Sequence, residues 1–341
     1  MRIAVDAAGS EPGPRVIVEG VLAAFEEFRA SGAAFRPVLY GPGELLRRTL
    51  REMDVPTGEV EIVDAPEVIE MTDRPGEAVL QKQNSSIVRA AKDLAAGEVR
   101  AFVSMGNTGA VVGAARAHVG RMRWISRPAL AVPLPRREAM GLLLDAGATM
   151  EPKATHLVQF AAMGAAFVER IYGVGEPRIG LMNIGVESHK GEERVQDAWR
   201  LLARSPLNFI GNVEGGDLLR DTADVIVTHG FVGNILLKFA ESIPEMLREH
   251  NIPVEGDSAL HRWLGTLDYR RYGGATLLGV NGSVVIGHGR SHPSAVMQAL
   301  RWAGQMVRTD VPAAVKDRVF RTRRALWLSN PFARGEVSDD E

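Results

Sequence analysis

Residues 101–120 read AFVSMGNTGAVVGAARAHVG, and the reading of this stretch decides the fold class. It opens with a short apolar run at 101–103, breaks into the polar, glycine-bearing SMGNTGA of 104–110, and continues as an Ala/Val-rich helical pattern. Strand, tight loop and helix in that order form the unit from which α/β sheets are assembled. Such a turn sets the first unbonded N–H groups of a helix at the carboxyl edge of a sheet, where the helix dipole favours negative charge. Gly106 and Gly109 let the backbone approach a ligand, while Ser104, Asn107 and Thr108 add hydrogen-bonding groups without bulk. Two readings fit the loop equally well: an anion site, or a capped helix after a buried strand.

The same pattern extends in both directions. On the N-terminal side, a strand at 2–5 ends at Asp6 and the loop AAGSEPGP before a helix at 16–28, and strands at 36–40 and 60–63 repeat the alternation. Residues 66–73 read as a loop and 74–96 as one long helix carrying Lys82, Asn84, Ser85 and Ser86 on its middle turns. On the C-terminal side, apolar runs at 129–134 and 141–144 lead to Asp145, Ala146 and Gly147. A carboxylate ending a strand and followed by glycine stands where open α/β sheets bind ligands. A helix at 156–171 follows, and then strands at 178–182, 208–210 and 224–227 run into NIGVESHKGEE, GNVEGGD and THGFVGN, with a helix at 235–248. Several loops are therefore expected along one edge of one sheet. A largely polar excursion at 249–270 interrupts the alternation, two short strands surround Asn281 and Gly282, and helices at 294–307 and 311–324 precede an acidic tail. Neither an internal repeat nor a low-complexity linker occurs, so the expectation is a single interwoven α/β domain over 1–325 with a tail at 326–341.

Composition narrows the function classes. Of 341 residues, 45% are hydrophobic and 24% charged, which is ordinary for a soluble globular protein, and 40 basic against 42 acidic side chains give no ground for nucleic-acid binding. The chain has no apolar run of about 18 residues, and MRIAVDA enters a strand pattern directly, so the expected location is the cytoplasm. Zero cysteines exclude disulfides, thiolate metal sites and a cysteine acyl-enzyme.

The loops together offer Asn107, Thr108, Asp145, Asn183, Lys190, Asn212, Glu214, His229, Asn234 and Lys238. Neutral amides with a few cations and carboxylates suit binding a phosphate and stabilising an oxyanion. GxSxG, HExxH and the Walker loop are absent, and the loop after the first strand lacks the GxGxxG dinucleotide fingerprint. These residues resemble a known family, the bacterial phosphate acyltransferases that make acyl phosphate from acyl-acyl carrier protein. The resemblance runs from residue 1 to about 303 and is carried by VDAAG, VIEMTDRP, NSS, AFVSMGNTGA, RPAL, LLLDAGA, HLVQFAAMG, NIG, KG, FIGNVEG, GFVGNILLK and YGGATLLGVNGSVVIGHG, in that order. It implies a three-layer α/β/α fold with a large, mostly parallel sheet, like that of isocitrate dehydrogenases and phosphate acetyltransferases. A homodimer with active sites near the subunit interface is also implied.

The implied reaction is attack of inorganic phosphate on the thioester of an acyl carrier protein, with no cofactor and no metal. Phosphate is already an anionic nucleophile, so an activated serine or cysteine is not required. The resemblance puts phosphate at the turn of Ser104, Gly106, Asn107, Thr108 and Gly109, with Lys190 supplying charge and Asn212 and Asn234 as amide donors. His229 is either a base or a polar filler, Lys238 either faces the site or is solvated, and Asp145, Asn183, Lys82, Ser85 and Ser86 complete the binding set. Departures from the family pattern sit at loop ends: Ser10 and Glu11, Gln83 and Asn84, Thr149, Val186, Gly216 and His229. They point to a specialised carrier, acyl group or acceptor, or else to a non-catalytic carrier-binding homologue. A nicotinamide-dependent dehydrogenase of the related fold is the remaining rival, and the missing fingerprint weighs against it. Arg116, Arg121, Arg123 and Arg127 are a candidate docking patch for an acidic carrier. Membrane binding through the excursion is expected to be weak or absent, since only Leu260, Trp263, Leu264 and Leu267 offer an apolar face among Glu249, Glu255, Asp257 and His261.

Overall fold

The computed structural model describes residues 1–56, 58–136, 139–250 and 273–329. The expected excursion and its apolar face fall outside these residues except for Glu249 and His250, as does the tail from 330 onward. In chain order the strands are β1 (Arg2–Asp6), β2 (Arg36–Gly41), β3 (Glu61–Asp64), β4 (Ala101–Ser104), β5 (Ala129–Pro135), β6 (Met140–Leu144), β7 (Ile179–Met182), β8 (Phe209–Val213), β9 (Val225–Val227), β10 (Ala275–Leu278) and β11 (Ser283–Ile286). The helices are α1 (Pro14–Ala30), α2 (Gly43–Glu52), α3 (Pro75–Gln81), α4 (Ser86–Ala96), α5 (Thr108–Ala114), α6 (Ala154–Tyr172), α7 (Glu193–Ala203), α8 (Gly230–Glu249), α9 (Pro293–Arg308) and α10 (Val311–Ser329). The fold is a three-layer α/β arrangement with a mostly parallel sheet, as the alternation of the sequence requires. Among the described residues no helix is long and apolar enough to cross a membrane.

The chain forms two compact units, Met1–Gly120 with Tyr269–Thr309 and Arg121–Asp268 with Asp310–Glu341. In the first, the strands run β3-β2-β1-β4-β11-β10, parallel except for β10, which is antiparallel to β11. Every residue of β4 is buried, because α1 and α9 pack on one face of the sheet and α4 on the other. That double cover explains why the strand reads as a continuous apolar run rather than an alternating one. Helices α1 and α9 cross closely at Gly20, where a Cβ would come within 2.5 Å of the Val296 side chain. In the second unit the order is β5-β6-β9-β7-β8, with only β5 antiparallel to its neighbour. Helix α6 packs on β6, β9 and α10, and its buried face includes Leu157, Phe160, Ala161, Phe167 and Val168.

The single helix expected over 74–96 is instead two helices, α3 and α4. Lys82 leaves helical geometry with ψ 66°, and the Ser85 side chain accepts the Val88 N–H at 3.4 Å as the N-cap of α4. Serine competes for backbone groups inside a helix but satisfies an orphan donor at its start, so the NSS run begins a helix.

Candidate active site

In the first unit β1, β4 and β11 end in register, with Asp6 beside Ser104 and Ser104 beside Ile286. Asp6 is fully buried. One of its carboxylate oxygens accepts the N–H groups of Ala8 and Gly9, each at 3.1 Å, and the other accepts the Ser104 hydroxyl at 2.7 Å. The Ser104 oxygen in turn accepts the Gly106 N–H at 3.0 Å. A Cβ on Gly106 would sit 2.9 Å from the Asp6 carboxylate, so this close approach requires glycine. Asn107 caps α5, accepting the Ala110 N–H at 3.1 Å. Its amide nitrogen donates to the carbonyls of Glu70, Met71 and Asp73 at 3.3, 3.3 and 3.1 Å. The Asn107 side chain thus serves the backbone, and the Ser104 hydroxyl links Asp6 to the Gly106 N–H. Exposed Thr108 and Gly109 keep first-turn N–H groups with no acceptor among the described residues.

The segment under Asn107 is held by Lys82, whose ammonium donates to Asp73 at 2.5 Å and to the Val68 carbonyl at 2.7 Å. That hydrogen bond is the main reason the Asp73 carboxyl is held below the usual carboxylate range. Ser85 is the α4 cap described above, and Ser86 is buried with a hydroxyl that has no partner among the described residues. Lys82, Ser85 and Asn107 therefore connect into one scaffold around the turn. Asp6 was missed as a member of it, although its place at the end of the first strand, inside VDAAG, is the signal that marks it.

In the second unit the carboxyl ends of β6, β9, β7 and β8 lie side by side and carry the remaining candidates. Asp145 is fully buried, and its carboxylate accepts four backbone N–H groups: Leu130 at 2.8 Å, Gly147 at 3.1 Å, Ala148 at 3.0 Å and Thr149 at 2.6 Å. Burial pushes its carboxyl above the usual range while these donors pull the other way. The loop it shapes locks onto the next one, with the Gly230 N–H donating to the Thr149 carbonyl at 2.9 Å. A Cβ on Gly233 would collide with the Asp145 carbonyl oxygen. Asn183 plays a comparable part after β7, donating to the Lys190 carbonyl at 3.0 Å and accepting the Ile184 N–H at 2.8 Å.

Other groups on this edge are not consumed in that way. The Lys190 ammonium has no hydrogen bond or ion pair with any described residue. Asn234 is exposed, its side chain has no partner among the described residues, and it lies against Gly147. Helix α8 begins at Gly230, so Asn234 belongs to a helix rather than to the expected loop. Asn212 likewise lies inside β8, where it pairs with Leu181; its amide nitrogen donates to the Glu187 carbonyl at 2.8 Å, and its oxygen is buried without a partner. His229 stands 3.6 Å from the Glu192 carboxylate, which joins the loops after β7 and β9. Burial holds the imidazole below the usual histidine range; the Arg194 charge adds to this and Glu192 opposes it. Lys238, one turn beyond Asn234, is exposed and pairs with Glu241 at 2.7 Å, which fits its solvated reading. Glu192, absent from the sequence-based set, is the neighbour that gives His229 its setting. An unpaired cation, an exposed amide and a neutral imidazole on one edge suit stabilising developing negative charge and moving a proton.

Comparison with known proteins places the chain in a family. The chain is 42% identical over 319 residues to a phosphate acyltransferase of Pelotomaculum thermopropionicum, covering 90% of this chain and 92% of that one. It is 42% identical over 332 residues to one of Bacillus licheniformis, covering 94% and 98%. Among solved structures, a phosphotransacetylase from Streptococcus pyogenes shares the fold with a TM-score of 0.61 at 18% identity, over 90% of this chain and 94% of that chain. Residues 1–314 match the family described as "Fatty acid synthesis protein". With that match and relatives of this identity over most of its length, the chain belongs to the fatty acid synthesis protein family, in which its phosphate acyltransferase relatives stand.

Proposed function

We propose that this chain is a transferase that moves an acyl group from the thioester of an acyl carrier protein to inorganic phosphate. Membership of the family supports the reaction class, and the observation that carries the reading is Lys190, an ammonium with no counter-ion among the described residues, on a loop shaped by Asn183. A phosphate oxygen attacks the carbonyl carbon, a C–O bond forms, and the carbonyl electron pair becomes an oxyanion. Collapse of that intermediate breaks the C–S bond, and the leaving thiolate takes a proton from solvent. Lys190 and Asn234 donate to the developing charge, which is where a preorganised donor acts most strongly. His229, neutral near pH 7, accepts a proton from monoanionic phosphate. In the first unit, the N–H groups of Thr108 and Gly109 are donors for an anion in their own right.

Incubation with acyl carrier protein and coenzyme A thioesters of several chain lengths, with and without phosphate, tests the reading by product mass. Acyl phosphate that forms only when phosphate is present is the expected result. Unchanged thioester under every condition overturns it in favour of a carrier-binding homologue. A shifted preference has its own support: Val186, 62% exposed, and Ile184, 82% exposed, put apolar surface on the Lys190 loop where the family pattern has a glutamate at 186. Within the same panel, a preference profile matching that of a housekeeping family member removes the case for specialisation.

A further inference from the structure

The second unit carries a basic, aromatic surface built from residues 121–127 and α10. Trp124 adopts a left-handed backbone conformation, φ 74°, which a bulky residue keeps only where its surroundings hold it. Here the indole lies between two guanidinium groups, Arg123 at 4.3 Å and Arg323 at 4.6 Å from the ring centre, with Phe320 at 6.2 Å. The segment 121–127, RMRWISR, is thereby fixed against α10. It contributes Arg121, Arg123 and Arg127 with no acidic residue, while α10 contributes Lys316, Arg318, Arg321, Arg323 and Arg324 against Asp317 alone. Asp317 pairs with Arg321, and Arg318 reaches Glu169. Arg123, Arg127 and Arg324 have no acidic partner among the described residues. Phe320, 42% exposed, and Trp327, 43% exposed, flank Arg323 and Arg324 at helical spacing on α10. A strong local positive charge on a chain of net charge -2 is a surface for an acidic partner.

We propose that this surface docks the acyl carrier protein itself, an acidic partner, through Arg123, Arg127, Arg323 and Arg324 with Trp124 and Phe320 as apolar contacts; this rests on the function proposed above. Arginine forks match carboxylates in two-point contacts, and aromatic and arginine residues dominate protein interfaces. An anionic membrane fits less well. An interfacial helix needs a broad exposed apolar face, whereas Val311, Val315 and Val319 of α10 are buried in the second unit and its exposed Phe320, Trp327 and Leu328 are interrupted by Arg321, Arg323 and Arg324.

The test uses the full chain and measures binding of an acyl carrier protein at two salt concentrations, beside turnover of a carrier-linked thioester and of an acyl pantetheine thioester that has no carrier. The Arg127→Glu/Arg324→Glu variant is expected to bind the carrier at least ~10-fold more weakly, with a flatter salt dependence and a raised KM for the carrier-linked substrate. Pantetheine turnover and melting temperature are expected to stay as in wild type. Arg48→Glu on α2 serves as the control and is expected to change nothing. The docking assignment is overturned by carrier binding that is unchanged in the double variant, by a wild-type chain that binds no carrier, or by anionic phosphatidylglycerol vesicles that bind through these arginines while the carrier does not. Carrier binding that follows the arginines, in a wild type that makes no acyl phosphate from either thioester, supports the docking surface while removing the proposed reaction.

Discussion

The loop edges of the two units use the same materials to opposite ends. In the first, Asp6, Ser104 and Asn107 bond to backbone groups and Ser104 to Asp6, and the N–H groups of Thr108 and Gly109 have no acceptor among the described residues. In the second, Asp145 and Asn183 do that framing work; among the described residues the Lys190 and Asn234 side chains have no partner, while His229 lies between the Val232 N–H, which its Nδ1 accepts at 3.5 Å, and the Glu192 carboxylate. Residue type does not separate the roles, since the same residue caps α5 as Asn107 and lies one turn inside α8 as Asn234. The difference lies in what surrounds them: three carbonyls converge on the Asn107 amide, while Asn234 faces a glycine and solvent.

If that division holds, framing and leftover residues respond to substitution in different observables. The largest effect on stability is expected at Asp145→Ala, which strands four backbone donors where each unsatisfied group costs about 1–3 kcal/mol; a loss of ~3 kcal/mol or more should appear as a lowered urea midpoint. A midpoint equal to that of wild type would place Asp145 outside the frame. Next, Lys190→Ala and Asn234→Ala should leave the urea midpoint unchanged and lower turnover by roughly 100- to 1,000-fold, or about 2.7–4 kcal/mol for a lost charge-stabilising donor. Unaltered kinetics in both variants erases the contrast between the two edges.

A smaller effect is expected in the pH profile. Because burial lowers the His229 pKa, the imidazole stays neutral near pH 7, and the acid limb of the rate profile should lie below the unperturbed value of about 6.5. As pH falls through about 6.5 the unfolded chain binds this proton first, so the stability contributed by the neutral form declines on the acid side. His229→Gln should remove the limb; a limb that persists unchanged assigns it to another group.

Much of this was legible in the sequence. Strand-to-loop-to-helix periodicity gave the α/β class, and the glycines at 106, 147 and 233 marked the loops that pack closely at the sheet edges. The division of labour was not legible, because it depends on which distant carbonyls and N–H groups converge on a side chain. Asn107 meets residues 70–73, some 34 to 37 positions away, in a segment that Lys82 holds through Asp73 and the Val68 carbonyl. The break between α3 and α4 was hidden because serine suits both a helix interior that faces solvent and an N-cap. Asn212 looked like loop because GNV is polar and glycine-bearing, yet Asn212 and Val213 continue the ladder opposite Leu181 and Met182. Helix α8 likewise starts four residues before Asn234, since GFVG needs no side-chain cap once Gly230 bonds to Thr149.

The most direct measurement runs the wild-type chain on an acyl carrier protein thioester with fully ¹⁸O-labelled phosphate and follows the products by mass. Acyl phosphate that carries every labelled oxygen is expected, since a phosphate oxygen forms the new bond to the carbonyl carbon. Free fatty acid with oxygen from water, and no labelled acyl phosphate, would contradict it.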